Sequence, residues 1–199
     1  MEASVTSQAL ASLESFPEDF DARIGKAVRA FSVLERELSI LTLYLGRLTY
    51  ATRLLAKDRT AREELGKLLL QPASAKAENL LCLARAPLFA SVSTEIEALV
   101  GDTKTIFKHR ALICHAAWFP ADGAVAAKLW SNDAVRSEAK RAENQMVNPD
   151  SQIYTAQDFE DLTAVTILAA EKVMAMNATL FQAGSDQFPD LFPSDRPKA

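Results

Sequence analysis

Apolar residues recur along the first part of the chain at alternating steps of four and three: Phe20, Ile24, Ala27, Phe31, Leu34, Leu38, Leu41, Leu45 and Leu48. Such spacing lines one stripe of a helix and predicts a single long helix from about Glu18 to Ala56. Pro17 and the acidic Glu18, Asp19 and Asp21 suit its N-terminus. Proline cannot sit inside a helix without losing a hydrogen bond, so Pro72, Pro87 and Pro120 bound the helices that follow. A second is predicted from Thr60 to Leu70, and a third over about Ser74 to Arg85, with Leu80, Leu81 and Leu83 on its apolar face. A fourth runs from near Ser91 or Ser93 to about Ala117. Its seam reads Ile96, Leu99, Thr103, Ile106, Arg110, Ile113 and Ala117, so a guanidinium stands where an apolar side chain is expected.

After Pro120 the pattern changes. Ala121-Asp122-Gly123 is a turn signal, and Val125, Ala127 and Leu129 alternate with small or polar residues, which fits a short hairpin over roughly 124–142. A charged helix from Ala134 to Gln145 fits the same stretch. The last helix opens at Tyr154-Thr155-Ala156-Gln157-Asp158, which has the form of an N-cap with an acid three places on, and continues through Phe159, Leu162, Thr166, Ala169, Val173, Met176 and Leu180. Gly184 reads as its C-terminal stop. Beyond it, Phe188, Leu191 and Phe192 alternate with Pro and Asp, as in an extended tail that packs its aromatics. The expected fold is all-α: a helical bundle with long first, fourth and last helices. It occupies 18–184 as one domain, between an N-terminal segment (1–17) and a C-terminal tail (185–199). The nine-position stripe of the first helix is long enough that part of it is expected to face a second copy of the chain, as in a homodimer.

Composition sharpens this picture. Only 6 of the 199 residues are Gly, few for a fold rich in tight turns. No Gly-x-Gly-x-x-Gly, Gly-Lys-Ser/Thr loop or Gly-x-Ser-x-Gly elbow occurs, so any chemistry rests on side chains. Hydrophobic residues make up 49% and charged residues 24%, the balance of a globular protein. No charge-free apolar run reaches the roughly 18 residues of a membrane span, and the opening residues lack the basic head and apolar run of a secretory signal. A cytoplasmic protein off the membrane is the expectation. Cys82 and Cys114 sit inside apolar helical patterns and read as reduced core residues rather than a disulfide framework.

Charge is uneven under a net of −4. Residues 46–85 and 104–115 are locally basic, and a basic face can steer a phosphate backbone; a solvated helix face is the plainer reading. Both histidines, His109 and His115, fall in Ile106-Phe-Lys-His-Arg-Ala-Leu-Ile-Cys-His-Ala-Ala-Trp118 at the end of the fourth helix. Histidine exchanges protons near neutral pH, and arginine holds a phosphate through two parallel hydrogen bonds. Arg110 and His115 stand about 140° apart on a helix, which suits a site bridged by a phosphate or shared between two subunits. Cys82, Cys114, His109 and His115 lack the paired spacing of a zinc site, so no metal or cofactor is expected. Glu35 and Glu37 are candidates to pair with Arg110 or Lys108, or to be solvated flanks of the seam. Trp118, Trp130 and Tyr154 are candidates for base stacking, or for packing near the turns.

Arg110-Ala-Leu-Ile-Cys-His115 resembles the Arg-x4-6-His motif of the HEPN superfamily, small all-α domains of which many are metal-independent ribonucleases in toxin or defence systems. The long first helix with its Leu34-Glu35 step, the motif on a central helix, Trp118 just after it, an insertion and a final amphipathic helix agree. The resemblance implies a homodimer with an RNA substrate, and an antitoxin or other protein as partner. Arg110 would bind the phosphate, His115 would act as general base or acid, and Lys108, His109 and Trp118 would contact substrate. Active members often carry Asn, Asp or His directly after the Arg; that position is Ala111 here, and His109 is the polar neighbour that could replace it. The alternative expectation is a non-catalytic helical-bundle protein with an interaction or regulatory role.

Overall fold

The computed structural model describes residues 16–84, 89, 92–121, 124–129 and 151–193. Its elements are α1 (Phe20–Thr49), α2 (Ala51–Leu55), α3 (Arg59–Leu69), α4 (Ala73–Ala84), α5 (Ser93–His115), β1 (Ala116–Ala121), β2 (Ala124–Leu129), β3 (Ser151–Tyr154) and α6 (Ala156–Gln187). The fold is all-α with one small sheet, as the periodicity predicts. The chain divides into two compact units: residues 1–29 with 108–164, and residues 30–107 with 165–199.

The second unit is helical. Phe31, Leu34, Leu38, Leu41, Leu45 and Leu48 of α1 are buried in it, with Leu65, Leu80, Leu83, Ile96, Leu99 and Val173 from the other helices. These stripe positions of α1 are thus covered within the chain. One long helix to Ala56 was expected, but Tyr50 interrupts it and α2 follows. The end of α2 is a left-handed cap: Lys57 has φ 59°, its N–H donates to the Leu54 carbonyl at 3.0 Å and the Asp58 N–H to that of Arg53 at 2.9 Å. That pairing is the one a helix uses to satisfy its last carbonyls, usually with Gly at the left-handed position. The Asp58 carboxylate then caps α3, accepting from the Thr60 and Ala61 N–H groups. Arg53 holds that carboxylate at 2.8 Å and reaches Glu64 at 3.1 Å. Arg59 pairs with Glu63, Lys76 donates to Ser39 and Arg47 lies over the Phe192 ring. Much of the basic 46–85 run is therefore engaged locally.

Gly184 does not end the last helix, which continues to Gln187. Its missing side chain serves a close approach instead: a Cβ there would stand 2.6 Å from the Phe192 ring. The tail is turned rather than extended, with Leu191 N–H donating to Phe188 and Phe192 N–H to Pro189. Those turns bury Phe192 against Tyr44 and Phe181. Within α6, an 18-residue stretch has a mean hydropathy of 1.3 and is 33% buried. It is the one helix among the described residues that is long and apolar enough to cross a membrane. Counting only charge-free runs misses it, because Glu171 and Lys172 interrupt the stretch.

The first unit holds the sheet. Strand order is β1-β2-β3, antiparallel throughout, with Trp118 opposite Ala127 and Val125 opposite Tyr154. Strand pairing begins at Ala116, before Pro120, rather than near 124 as expected, and this cuts α5 at His115 instead of Ala117. Pro120 is accommodated because β1 is an edge strand. The expected helix from 134 to 145 lies outside the described residues. Cys82 and Cys114 are free thiols but exposed, not core residues: Leu80 and Leu83 take the buried face of α4, and Ile113 that of α5. A side chain one position along a helix turns about 100° away from that face.

Candidate functional site

The last turns of α5 bring the candidate residues into the first unit. The helix runs straight into β1 with no intervening loop, so His115 is its final residue and Trp118 lies three residues into the sheet. Lys108 and His115 are exposed, while His109, Arg110 and Trp118 are half-buried. Arg110 and His115 are five residues apart, which on a helix turns their side chains about 140° from each other.

Trp118 is held by its neighbours. Its ring lies 5.3 Å from Phe20, 5.7 Å from Tyr154 and 5.9 Å from Phe159 between centroids. Phe20 and Phe159 also meet edge to face. This aromatic cluster anchors β1 against the first turns of α1 and α6. Arg23 reinforces the same region, bonding Asp19 on one side and Glu160 and the Ala156 carbonyl on the other.

His109 is the site residue with the most defined environment. Its Nδ1 and the Tyr154 hydroxyl share a hydrogen bond of 2.8 Å, and the two rings meet edge to face. Burial pushes the His109 imidazole below its ordinary value, opposed by the negative Asp158. Burial also pushes the Tyr154 phenol up to about 12, with Asp158 adding to the effect. Both groups are thereby kept neutral near pH 7. Asp158 itself is held low, chiefly by the Thr155 hydroxyl and N–H and to a smaller degree by His109. The reason is local sequence. Thr155 and Asp158 form a reciprocal capping box, the Thr155 N–H donating to Asp158 Oδ2 at 2.7 Å and the Asp158 N–H to Thr155 Oγ1 at 3.2 Å. That box starts α6 directly after β3 and sets Tyr154 where it meets His109.

From sequence, Tyr154 is a candidate for base stacking or for packing near the turns; its tie to His109, 45 residues away, has no local sequence signal. A second polar cluster was also missed. Glu37, expected as a partner of Arg110 or Lys108 or as a solvated charge, is buried in the second unit. There it accepts from Arg36 Nη2 at 2.8 Å and Nε at 3.0 Å and from Asn177 Nδ2 at 3.1 Å. Among the described residues, no three His, Cys, Asp or Glu side chains gather in a way that could hold a metal ion. No protein-family model, curated protein or solved structure matches this chain.

Proposed function

We propose that this chain is a HEPN-like, cytoplasmic RNA-binding protein of toxin or defence type that cleaves RNA without a metal. The observation that supports the reading is the placement of Arg110, half-buried, and His115, exposed, on the last turns of α5, about 140° apart round the helix. Arg110 holds the scissile phosphate through paired N–H donors and offsets the charge that develops on its oxygens. His115 takes the proton from the ribose 2′-hydroxyl; the 2′-oxygen then bonds to phosphorus as the bond to the 5′-oxygen breaks. The 5′-oxygen leaves with a proton from an imidazolium, either His115 or its counterpart in a second copy. Lys108, exposed about two turns before His115, contributes to holding the backbone. The neutral His109–Tyr154 pair keeps the helix end in place against α6. An antitoxin or other protein is the expected partner.

Arg110→Ala and His115→Ala test this. Both are expected to slow cleavage of RNA in EDTA by about 10²-fold or more while circular dichroism stays that of the parent. Cleavage unchanged in both variants contradicts the reading. A second reading, a non-catalytic interaction protein, is favoured by Ala111 and by the apolar surface of α6 at Val165 and Leu168; it expects intact RNA and altered partner binding.

A further inference from the structure

Within the second unit, a groove of about 400 Å³ lies between α5 and α6. Its two lining stretches, 92–102 and 172–180, meet at one end, where Lys172 Nζ stands 3.6 Å from Asp102 Oδ2. The helices therefore run antiparallel along it. The other end lies two turns away on each helix, about 10 Å, at Glu95 and Thr179. Ile96, Leu99 and Leu180 are buried in the floor and Met176 is half-buried. An apolar trough of this volume with a few polar groups at its ends has the make-up of a small-molecule site.

The two ends differ in chemistry. Asp102 and Lys172 offset each other's charge and close the groove on their side. At the far end the polar groups are acceptors only. Glu95 is a carboxylate with no cationic partner among the described residues. The Thr179 hydroxyl donates its one hydrogen to the Ala175 carbonyl at 3.1 Å, so its oxygen has lone pairs alone to offer. Acceptors beside an uncompensated negative charge are matched by a cation that carries several N–H donors. We infer that this groove binds a protonated primary amine with an apolar tail, the ammonium between Glu95 and Thr179 and the tail over Ile96, Leu99 and Met176. The unbranched thioether of Met176 lets the floor adapt to the shape of the tail. A carboxylate with the same tail fits less well: Glu95 repels it at one end, and at the other the charge of Lys172 is already offset by Asp102.

The inference stands apart from any action on RNA, and its test reads binding alone. The full chain, isotope-labelled at its methionine methyl groups, is titrated by NMR with octylammonium below its micelle concentration. The Met176 methyl, assigned with Met176→Leu, is expected to shift saturably, while that of Met174, 47% exposed elsewhere on the same helix, stays in place. Glu95→Gln keeps the size of the side chain and removes its charge, and is expected to weaken binding about tenfold or more. Octanoate, with the same tail and the opposite charge, is expected to bind at least about tenfold more weakly. Ala175→Phe fills the groove and is expected to abolish the shift. Both variants alter exposed positions, and circular dichroism checks that each keeps its helices. The absence of a saturable shift, a Met174 shift as large as that of Met176, or undiminished binding in Glu95→Gln overturns the inference. So does octanoate binding as tightly as octylammonium; loss of that binding in Lys172→Gln assigns the groove to a carboxylate instead.

Discussion

The Nδ1 atom of His109 lies 2.8 Å from the Tyr154 hydroxyl, joining the end of α5 to the residue that precedes the capping box of α6. Burial holds the imidazole low and the phenol high, so the bond is between neutral groups. By NMR titration, His109 is expected to protonate below its ordinary value of 6.5. Asp158→Asn removes a negative charge that favours the imidazolium and is expected to lower it further; a rise contradicts the assignment.

Stability follows from the same shift. A histidine whose folded pKa is depressed binds its proton more weakly folded than unfolded, so stability is fully present above 6.5 and declines as pH falls through that value toward the folded pKa. Denaturant midpoints measured between neutral and mildly acidic pH are expected to fall for the parent. The part of the fall due to this residue is expected to vanish in His109→Gln. At the alkaline end, Tyr154 costs stability as pH rises from 10 toward about 12, because its ionised form is disfavoured by burial.

The turn between α2 and α3 offers a gain and a loss. Lys57 adopts the left-handed conformation that glycine holds without strain, so Lys57→Gly is expected to stabilise the protein by about 0.5–1 kcal/mol. Asp58→Ala removes the cap of α3 and the partner of Arg53, at an expected cost of about 1–2 kcal/mol. Thermal melts of the two variants should move in opposite directions.

At the other end of the second unit, Gly184→Ala drives a methyl group into the Phe192 ring. A buried overlap of this kind costs about 1–3 kcal/mol. Phe192→Ala creates a cavity and destabilises alone, but the double variant is expected to be more stable than the two losses added together, since the clash is gone. Additivity in denaturant unfolding would show that the ring and the glycine do not compete for the same space.

What was legible in the sequence was whatever a helical period or a proline determines locally. The stripe from Phe20 to Leu48 and the Thr155–Asp158 box read directly, because each depends on neighbours within a few residues. Proline and glycine misled where tertiary contacts overrode their local preferences: Pro120 sits within an edge strand, and Gly184 within a helix to admit Phe192. The cysteines misled because an apolar neighbourhood in sequence covers residues on opposite sides of a helix. Of the candidate site, the co-location of Lys108, His109, Arg110 and His115 was readable from their spacing. The contribution of Tyr154 was not, since it reaches His109 only through the pairing of β3 with β2 and the start of α6.

The claim that α5 ends in a phosphate-cleaving pair is tested most directly by incubating single-stranded RNA with the purified protein in EDTA and examining the ends of the products. The account predicts fragments with a 2′,3′-cyclic phosphate and a 5′-hydroxyl, at a rate reduced by about 10²–10⁴-fold in His115→Ala. RNA left intact across varied sequences, or the same cleavage from His115→Ala, contradicts it.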